Sequence, residues 1–286
     1  GFIIAPRLNA MGRLEHALES LRLLCTKSEK KARELAQRLQ ETNANRQELV
    51  RDTVVHAREQ ALASMDGGLI FISHESYHEG IVGLVASRLV EEFGRPAFVI
   101  YRGEEISRGS ARSIPGFNIV SLLDSARDYL VEGGGHPMAA GFTVRTENLE
   151  LLSKAFRESA SGSLTDEVLT PKIKIDCEIP LLLVDLSFAK ALLRFSPFGM
   201  GNPEPVFATR EVFIKDVRLV GADGKHLKLK LHPKGVNSTF DAIAFGMGEL
   251  YGKLSSGTAI DIVYTVAVDN WNGNERLQLK VKDIKI

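Results

Sequence analysis

The chemistry-bearing positions of this chain are histidines, arginines and glycines rather than paired carboxylates. His74-Glu75-Ser76-Tyr77-His78 has the H-E-x-x-H form of zinc peptidases, whose metal site needs both imidazoles on one helical face. Here an apolar strand pattern runs straight into His74 and the next helical pattern opens near Gly80, so a loop is predicted instead. That places His78 at the carboxyl end of a strand, where open α/β sheets bind ligands, although a lone histidine also fits an ordinary surface position. Ser110-Ala111-Arg112-Ser113 sets a guanidinium fork among hydroxyls, a combination suited to phosphate oxygens. Gly133-Gly134-Gly135-His136 precedes a strand pattern rather than a helix, which excludes the dinucleotide fingerprint. Read as a turn, it either gathers backbone N–H groups around an anion or simply reverses the chain. Arg7 and Arg13, with Asn9 between them, form a donor cluster predicted in a loop before a helix, suited to a phosphate or to acidic neighbours.

A second group lies far along the chain. Lys225, His226, Lys228 and Lys230 fall on or beside one predicted strand, and Trp271 sits in the turn Asn270-Trp271-Asn272-Gly273-Asn274. Basic strands with an aromatic on a small barrel suit a single nucleic-acid strand; a solvated strand face has the same composition.

The elements that must position these groups follow from periodicity. A short helix is predicted around Leu14 to Leu24, and Thr26-Lys27-Ser28-Glu29 has capping-box spacing. Beyond it, apolar positions recur at helical spacing from about 29 to 62, a rod of roughly 50 Å at 1.5 Å per residue, ending at Gly67-Gly68. Its stripe turns polar from Thr42 to Arg46, as in a helix lying across a cleft. Residues 69–73, 80–93 and 96–101 read as strand, helix and strand, a parallel crossover unit. Further strands at 106–113 and 138–144, a helix at 118–130 and a helix capped by Thr146 complete an α/β domain from about 66 to 160. After a Ser-, Gly- and Thr-rich linker at 159–170 the period changes to two. Strands at 212–220, 226–231, 240–245, 259–268 and 277–284, with a helical piece near 246–253, predict a small barrel of the OB type.

Composition sets the outer bounds. The 286 residues are 44% hydrophobic and carry 36 basic and 36 acidic side chains, so no whole-molecule field draws in a polyanion and any such site is local. Residues 1–60 and 200–286 are mildly basic, whereas 61–199 are acidic. Two cysteines, Cys25 and Cys177, are too few and too far apart for a disulfide framework or thiolate metal site, which predicts a reducing, cytoplasmic setting. The longest apolar runs fall far short of a membrane span, and a chain opening on Gly1 reads as a piece of a longer protein.

Taken together, Ala5-Pro6-Arg7-Leu8-Asn9-Ala10-Met11-Gly12-Arg13, the run from His78-Glu79-Gly80 to Ser87-Arg88-Leu89, Gly109-Ser110-Ala111-Arg112-Ser113 and Gly134-Gly135-His136-Pro137-Met138-Ala139-Ala140-Gly141 resemble the RecJ family of single-strand-specific 5′ exonucleases, within the DHH phosphoesterase superfamily. The resemblance continues through Pro197-Phe198-Gly199-Met200-Gly201-Asn202-Pro203-Glu204-Pro205, Gly224-Lys225-His226-Leu227-Lys228 and Asp241-Ala242-Ile243-Ala244-Phe245-Gly246-Met247-Gly248 to Trp271-Asn272-Gly273. Tyr77 stands where the family commonly has Trp.

The resemblance implies three parts: the end of a DHH-domain region with a long connector helix at 1–65, a DHH-associated α/β domain with a mainly parallel sheet at 66–162, and an OB-like barrel at 171–286. It also implies a preceding catalytic domain whose Asp and His motifs bind two divalent ions, Mn²⁺ or Mg²⁺, that activate water. No Asp-His-His motif occurs in this sequence, so no catalytic or metal-binding residue is expected in it. Ser110 and Arg112 would hold a 5′-terminal phosphate, with Ser113, His78, Arg7, Asn9, Arg13 and Gly134-Gly135-His136 near the terminal nucleotide. The barrel would hold the strand behind it through Lys225, His226, Lys228, Lys230 and Trp271. Single-stranded DNA with a 5′ end is the implied partner, with a single-strand-binding protein or a helicase as implied protein partners, in DNA repair and recombination. Two rival readings stand beside it: a non-catalytic strand-binding module, and a DHH phosphodiesterase for short oligonucleotides.

Overall fold

The structure, a computed structural model, describes residues 3–64, 68–221, 223–236, 238–271 and 274–286. Gly67, Asn272 and Gly273, and the side chains of Asn270, Trp271 and Asn274, lie outside what is described. The chain forms two compact units, residues 1–171 and 172–286.

The first unit opens with α1 (Ile4–Leu14), α2 (Leu18–Cys25) and α3 (Glu29–Ser64). The expected loop carrying Arg7, Asn9 and Arg13 is therefore a helix. Pro6 is compatible with it because a helix's first turn leaves its N–H groups unpaired anyway, and Ala10 and Met11 give it a fully buried face. The capping-box reading of Thr26 also shifts. Ser28 Oγ accepts from Lys31 N at 3.4 Å, while Thr26 Oγ1 accepts from Ser28 N at 3.3 Å. The 36-residue α3 is about 54 Å long, and its buried stripe runs through Leu35, Leu39, Thr42, Asn43, Thr53, Ala57 and Ala61.

A five-stranded sheet follows, with α4 (Val82–Phe93) between β1 (Ile70–His74) and β2 (Ala97–Tyr101), then β3 (Ile106–Arg112), α5 (Ile119–Ser125), β4 (Leu130–His136), β5 (Ala139–Arg145), α6 (Leu149–Ala160) and the short α7 (Asp166–Leu169). Strand order is β1-β2-β3-β5-β4. The sheet is mixed rather than mainly parallel: β1–β2 is parallel, while β2–β3, β3–β5 and β5–β4 are antiparallel. The physical reason is loop length. A parallel return needs a crossover of about a dozen residues or more, which α4 supplies once, whereas residues 102–105 and 137–138 permit only hairpins. Gly133 to His136 is accordingly part of a strand, not a turn. Thr146 does not cap α6; its Oγ1 donates to Gly103 O at 2.9 Å and lies 2.9 Å from Ser107 Oγ. One core beneath the sheet gathers Phe98, Phe142 and Phe156 with Leu152, and a second packs Ala57, Ala61, Ile70, Ile81, Val85 and Leu89 between α3, α4 and β1.

The second unit contains β6 (Cys177–Glu178), α8 (Leu186–Leu193), β7 (Phe207–Val220), β8 (His226–Pro233), β9 (Phe240–Ala244), β10 (Ala259–Trp271) and β11 (Asn274–Lys285). Pairing runs β10-β11-β9-β8-β7, and a β10–β7 pairing closes a five-stranded barrel. Alternation along β8 buries Leu227, Leu229 and Leu231 and turns His226, Lys228 and Lys230 outward, the period of two that the sequence displays. A 3₁₀ turn at Gly248–Lys253 stands where the helical piece is predicted.

Candidate functional site

Helix α4 ends as its sequence dictates, with Gly94 in the left-handed region at φ 61°, and its other end carries the chemistry. No side chain caps its N-terminus, and while Leu84 N and Val85 N donate to Ile81 O, the N–H groups of Val82 and Gly83 and the positive end of the helix dipole remain available to an anion. Facing that end, Arg108, Ser110 and Arg112 project from alternate positions of β3. Gly83 makes the approach possible: a Cβ there would stand 2.9 Å from both Arg112 Nη2 and Ser110 Oγ. Arg112 Nη1 donates to Ser110 Oγ at 3.0 Å and to the Ala111 carbonyl at 2.8 Å, which fixes the guanidinium plane.

Helix α1 supplies the opposing wall. Arg13 Nη1 donates to Gly80 O at 3.2 Å, and a Cβ on Gly80 would overlap the Arg13 carbonyl at 1.8 Å. The resulting cleft, about 550 Å³, is lined by Arg13, Glu15, His78, Glu79, Arg108, Ser110 and Arg112 among others. His78 sits in the turn before α4, its Nδ1 accepting from Gly80 N at 3.0 Å. Tyr77 anchors that turn to α3: it is 2% exposed, its hydroxyl lies 3.0 Å from His56 Nδ1, and burial pushes its pKa up to about 12.

Charge in the cleft is unbalanced. Arg112 is pulled below its ordinary pKa by burial and then by the charge of Arg13, and Arg46 on α3 by the same two causes in the same order. Arg13, Arg46 and Arg112 have no carboxylate partner among the described residues. Arg46 Nη2 donates to Asn43 Oδ1 at 3.1 Å, but its buried Nε has no acceptor. Glu15 does not neutralise them. Thr42 first and Arg38 second hold its carboxyl below the usual range, through hydrogen bonds on the α3 side. Glu79 is paired with Arg108 at 2.5 Å. Half-buried Arg13 and Arg112 beside a helix N-terminus, with Arg46 close enough to Arg13 for its charge to act, make an arrangement that a phosphate would stabilise.

The sheet extends this site sideways. Ser110 pairs with Gly141 and Gly141 with Gly134, so the row continuing from the hydroxyl is bare backbone. Arg112, Ala139 and His136 form the row on one side of it, and Arg108, Thr143 and Glu132 the row on the other. A Cβ on Gly134 would meet nothing within 4 Å, so the fold itself does not require glycine there. Gly135 differs: its Cβ would sit 2.3 Å from the Ala139 carbonyl, and the hairpin can close only on glycine.

Of the residues singled out from sequence, the cleft unites Arg13, His78, Ser110 and Arg112, and the adjoining rows add Gly134 and His136. Arg7 is not among the cleft-lining residues; it donates to Gln40 on α3 and to Ile3 O. Asn9 is exposed on α1 and also absent from the lining. Ser113 is buried, its hydroxyl donating to Phe117 O at 2.6 Å, because the residue after Arg112 points to the opposite side of the strand. Arg46 was missed. Its one sequence signal is the polar break in the stripe of α3, which reported a cleft but no partner.

On the barrel, His226, Lys228 and Lys230 share the outer side of β8. Lys225 lies just before that strand and pairs with Asp223 at 2.9 Å. Lys230 is flanked in register by Asp216 and Asp241. Trp271 ends β10, with its side chain outside the described part.

The histidine-rich motif does not build a metal centre. His74 ends β1, its Nδ1 2.7 Å from Ser76 Oγ, while His78 occupies a separate turn. Among the described residues no three His, Cys, Asp or Glu side chains come together as metal ligands would. No helix among them is long and apolar enough to cross a membrane.

Comparison with known proteins gives this geometry a setting. Residues 66–162 match the DHHA1 domain and residues 175–283 the RecJ OB domain. The single-stranded-DNA-specific exonuclease RecJ of Bacillus subtilis is 36% identical over 291 residues, covering all of this chain and 36% of that protein. The Haemophilus influenzae protein of the same name is 33% identical, covering all of this chain and 51% of that protein. The chain thus spans about a third to a half of these curated relatives. Crystal structures of Thermus thermophilus RecJ with Mn²⁺ and with Mg²⁺ superpose over the whole chain with TM-scores of 0.79 and 0.81 at 27% identity, using 41% and 43% of those chains. With the DHHA1 and RecJ OB domains in order, and with RecJ sequences and structures matched from end to end, this chain belongs to the RecJ family.

Proposed function

We propose that this chain is the substrate-binding part of a 5′ to 3′ single-stranded-DNA exonuclease acting in DNA repair and recombination, and that its cleft receives the 5′-terminal phosphate. One observation carries the reading: Ser110 and Arg112 face the uncapped start of α4 beside Arg13, and neither guanidinium has a carboxylate partner among the described residues. A terminal phosphate carries more charge than an internal one and is matched by a guanidinium fork and a helix N-terminus. Next to it, the glycine row Gly141-Gly134 offers a side-chain-free floor on which a terminal nucleotide can lie, with His136 at its edge. The outward lysines of the barrel supply contacts to the rest of the strand.

The related structures hold Mn²⁺ or Mg²⁺. The residues described here do not fit such a centre: His74 and His78 are held apart on different elements, and Glu79 is engaged by Arg108. In this reading the divalent ions and the hydrolytic step belong to a part of the parent protein outside this chain. The role of these 286 residues is to seize the end of the strand and hold it.

The test is binding of one oligonucleotide with a 5′-phosphate or a 5′-hydroxyl end, measured by fluorescence anisotropy with the wild-type chain and Arg112→Ala. Wild type is expected to favour the phosphate, and Arg112→Ala to lose about 1.5–3 kcal/mol of that preference alone. Identical treatment of the two ends by both proteins refutes the terminal-phosphate assignment.

A further inference from the structure

Phe245 follows directly on β9 and is 56% exposed, an uncommon position for a phenylalanine that no core needs. Its ring is held rather than free. It packs edge-on against His226, with centroids 5.3 Å apart at 74°, and Gly246 N donates to His226 Nδ1 at 3.0 Å. Gly246 adopts φ 76°, and Gly248 N donates to Lys225 O at 3.0 Å where a Cβ on Gly248 would stand 2.3 Å from Gly224 O. The turn after β9 is therefore latched to the turn before β8, and the latched Phe245 stays more than half exposed to solvent.

The strands beside it set charge around that ring. Arg218, Lys228, Ile243 and Lys280 form a single cross-strand row over β7, β8, β9 and β11. Two residues further along β11 is the exposed Lys282, one past Val281, whose partner on β9 is Ala244, as Phe245 is one past Ala244. Lys228, Lys280 and Lys282 make no ion pair with a described residue. The next row differs, because there Asp216 and Asp241 flank Lys230. In register, Lys228 and Lys280 have no carboxylate beside them, and with Lys282 they lie around Ile243 and Phe245.

We propose that Phe245 is the base-stacking platform of the barrel and that Lys228, Lys280 and Lys282 hold the phosphates on either side of the stacked base. The proposal rests on the exonuclease reading above and adds residues to it. A ring of this kind accepts any base, since every base has a π face, and lysines spaced across the strands track a backbone without reading its sequence. Charge complementarity selects a single nucleic-acid strand as the occupant, because an apolar protein partner would leave three lysine charges without a match.

The test uses the whole chain with a fluorescein-labelled thymidine 30-mer, titrated at several salt concentrations. Phe245→Leu, which keeps the apolar surface but removes the ring, is expected to weaken binding about tenfold without changing the salt slope. Phe245→Trp is expected to bind as tightly as wild type or more so. Lys280→Gln and Lys282→Gln should each flatten the logarithmic salt dependence by about 0.7. Phe245→Leu binding within twofold of wild type, or Phe245→Trp binding as weakly as Phe245→Leu, overturns the stacking assignment. The same titrations with 5′-phosphate and 5′-hydroxyl ends separate the two ideas. A preserved phosphate preference with indifferent Phe245 variants defeats this inference alone, whereas loss of that preference in wild type defeats the exonuclease reading.

Discussion

Gly83 and Ser110 meet across the start of α4 at a distance that leaves no room for a methyl group: a Cβ on Gly83 would lie 2.9 Å from the Ser110 hydroxyl. The atoms it would strike, Ser110 Oγ and Arg112 Nη2, are the ends of side chains that can turn away. Gly83→Ala is therefore expected to keep the fold, with stability within about 1 kcal/mol of wild type because a helical glycine is replaced by a better helix former. The price falls on function, and discrimination between 5′-phosphate and 5′-hydroxyl ends should drop about tenfold, a loss of about 1.4 kcal/mol. Anisotropy titrations beside a thermal melt check both halves. An unaltered preference would show that the approach of α4 to β3 has no part in recognition.

Two neighbouring glycines should behave in opposite ways. Gly135→Ala drives a methyl group to 2.3 Å from the Ala139 carbonyl, and a loss of about 1–3 kcal/mol in urea unfolding is expected. Gly134→Ala meets nothing, so stability should hold or rise by about 0.5–1 kcal/mol, while calorimetric affinity for a 5′-phosphorylated trinucleotide falls. Unchanged affinity in Gly134→Ala would remove the glycine row from the binding surface.

The Tyr77 hydroxyl gives a pH signature. Burial raises its pKa from 10 to about 12, so its contribution to stability is fully present below pH 10 and disappears as pH rises through 12. Tyr77→Phe removes both this titration and the bond to His56, costing about 0.5–1.5 kcal/mol at neutral pH. The stability difference between wild type and Tyr77→Phe should shrink from pH 9 to pH 11.5. A difference that stays constant over that range would mean Tyr77 titrates alike folded and unfolded.

Incubated with 5′-phosphorylated single-stranded DNA and Mn²⁺, the isolated chain is expected to release no nucleotides. A two-metal centre needs ligands that hold the ions about 3.5–4 Å apart. Steady nucleotide release by the purified chain, abolished by a chelator, is the result that contradicts this.

Much of the architecture was legible because it is periodic or local. The 3.6-residue stripe announces α3, the alternation of Leu227, Leu229 and Leu231 with lysines announces β8, and the Ser110–Arg112 spacing places both groups on one side of a strand wherever that strand lies. Where local signals mislead, the competing physics is identifiable. The segment carrying Arg7, Asn9 and Arg13 reads as a loop, but the buried faces of Ala10 and Met11 hold α1 as a helix. Gly133-Gly134-Gly135 has no side chains to alternate, so only pairing with β5 reveals β4.

What the chain by itself determined is each element's period and the identity of the donors: the hydroxyl, the guanidiniums and the basic strand. Tertiary structure alone decided which of them meet. Arg13, Arg46 and Arg112 are remote in sequence and become neighbours only when α1, α3 and β3 pack around α4. Ser113, one residue from Arg112, is lost to the core because successive side chains on a strand point opposite ways. Lys230 stands between Asp216 and Asp241 whereas Lys228 stands between Arg218 and Ile243, a difference set by strand register across β7, β8 and β9.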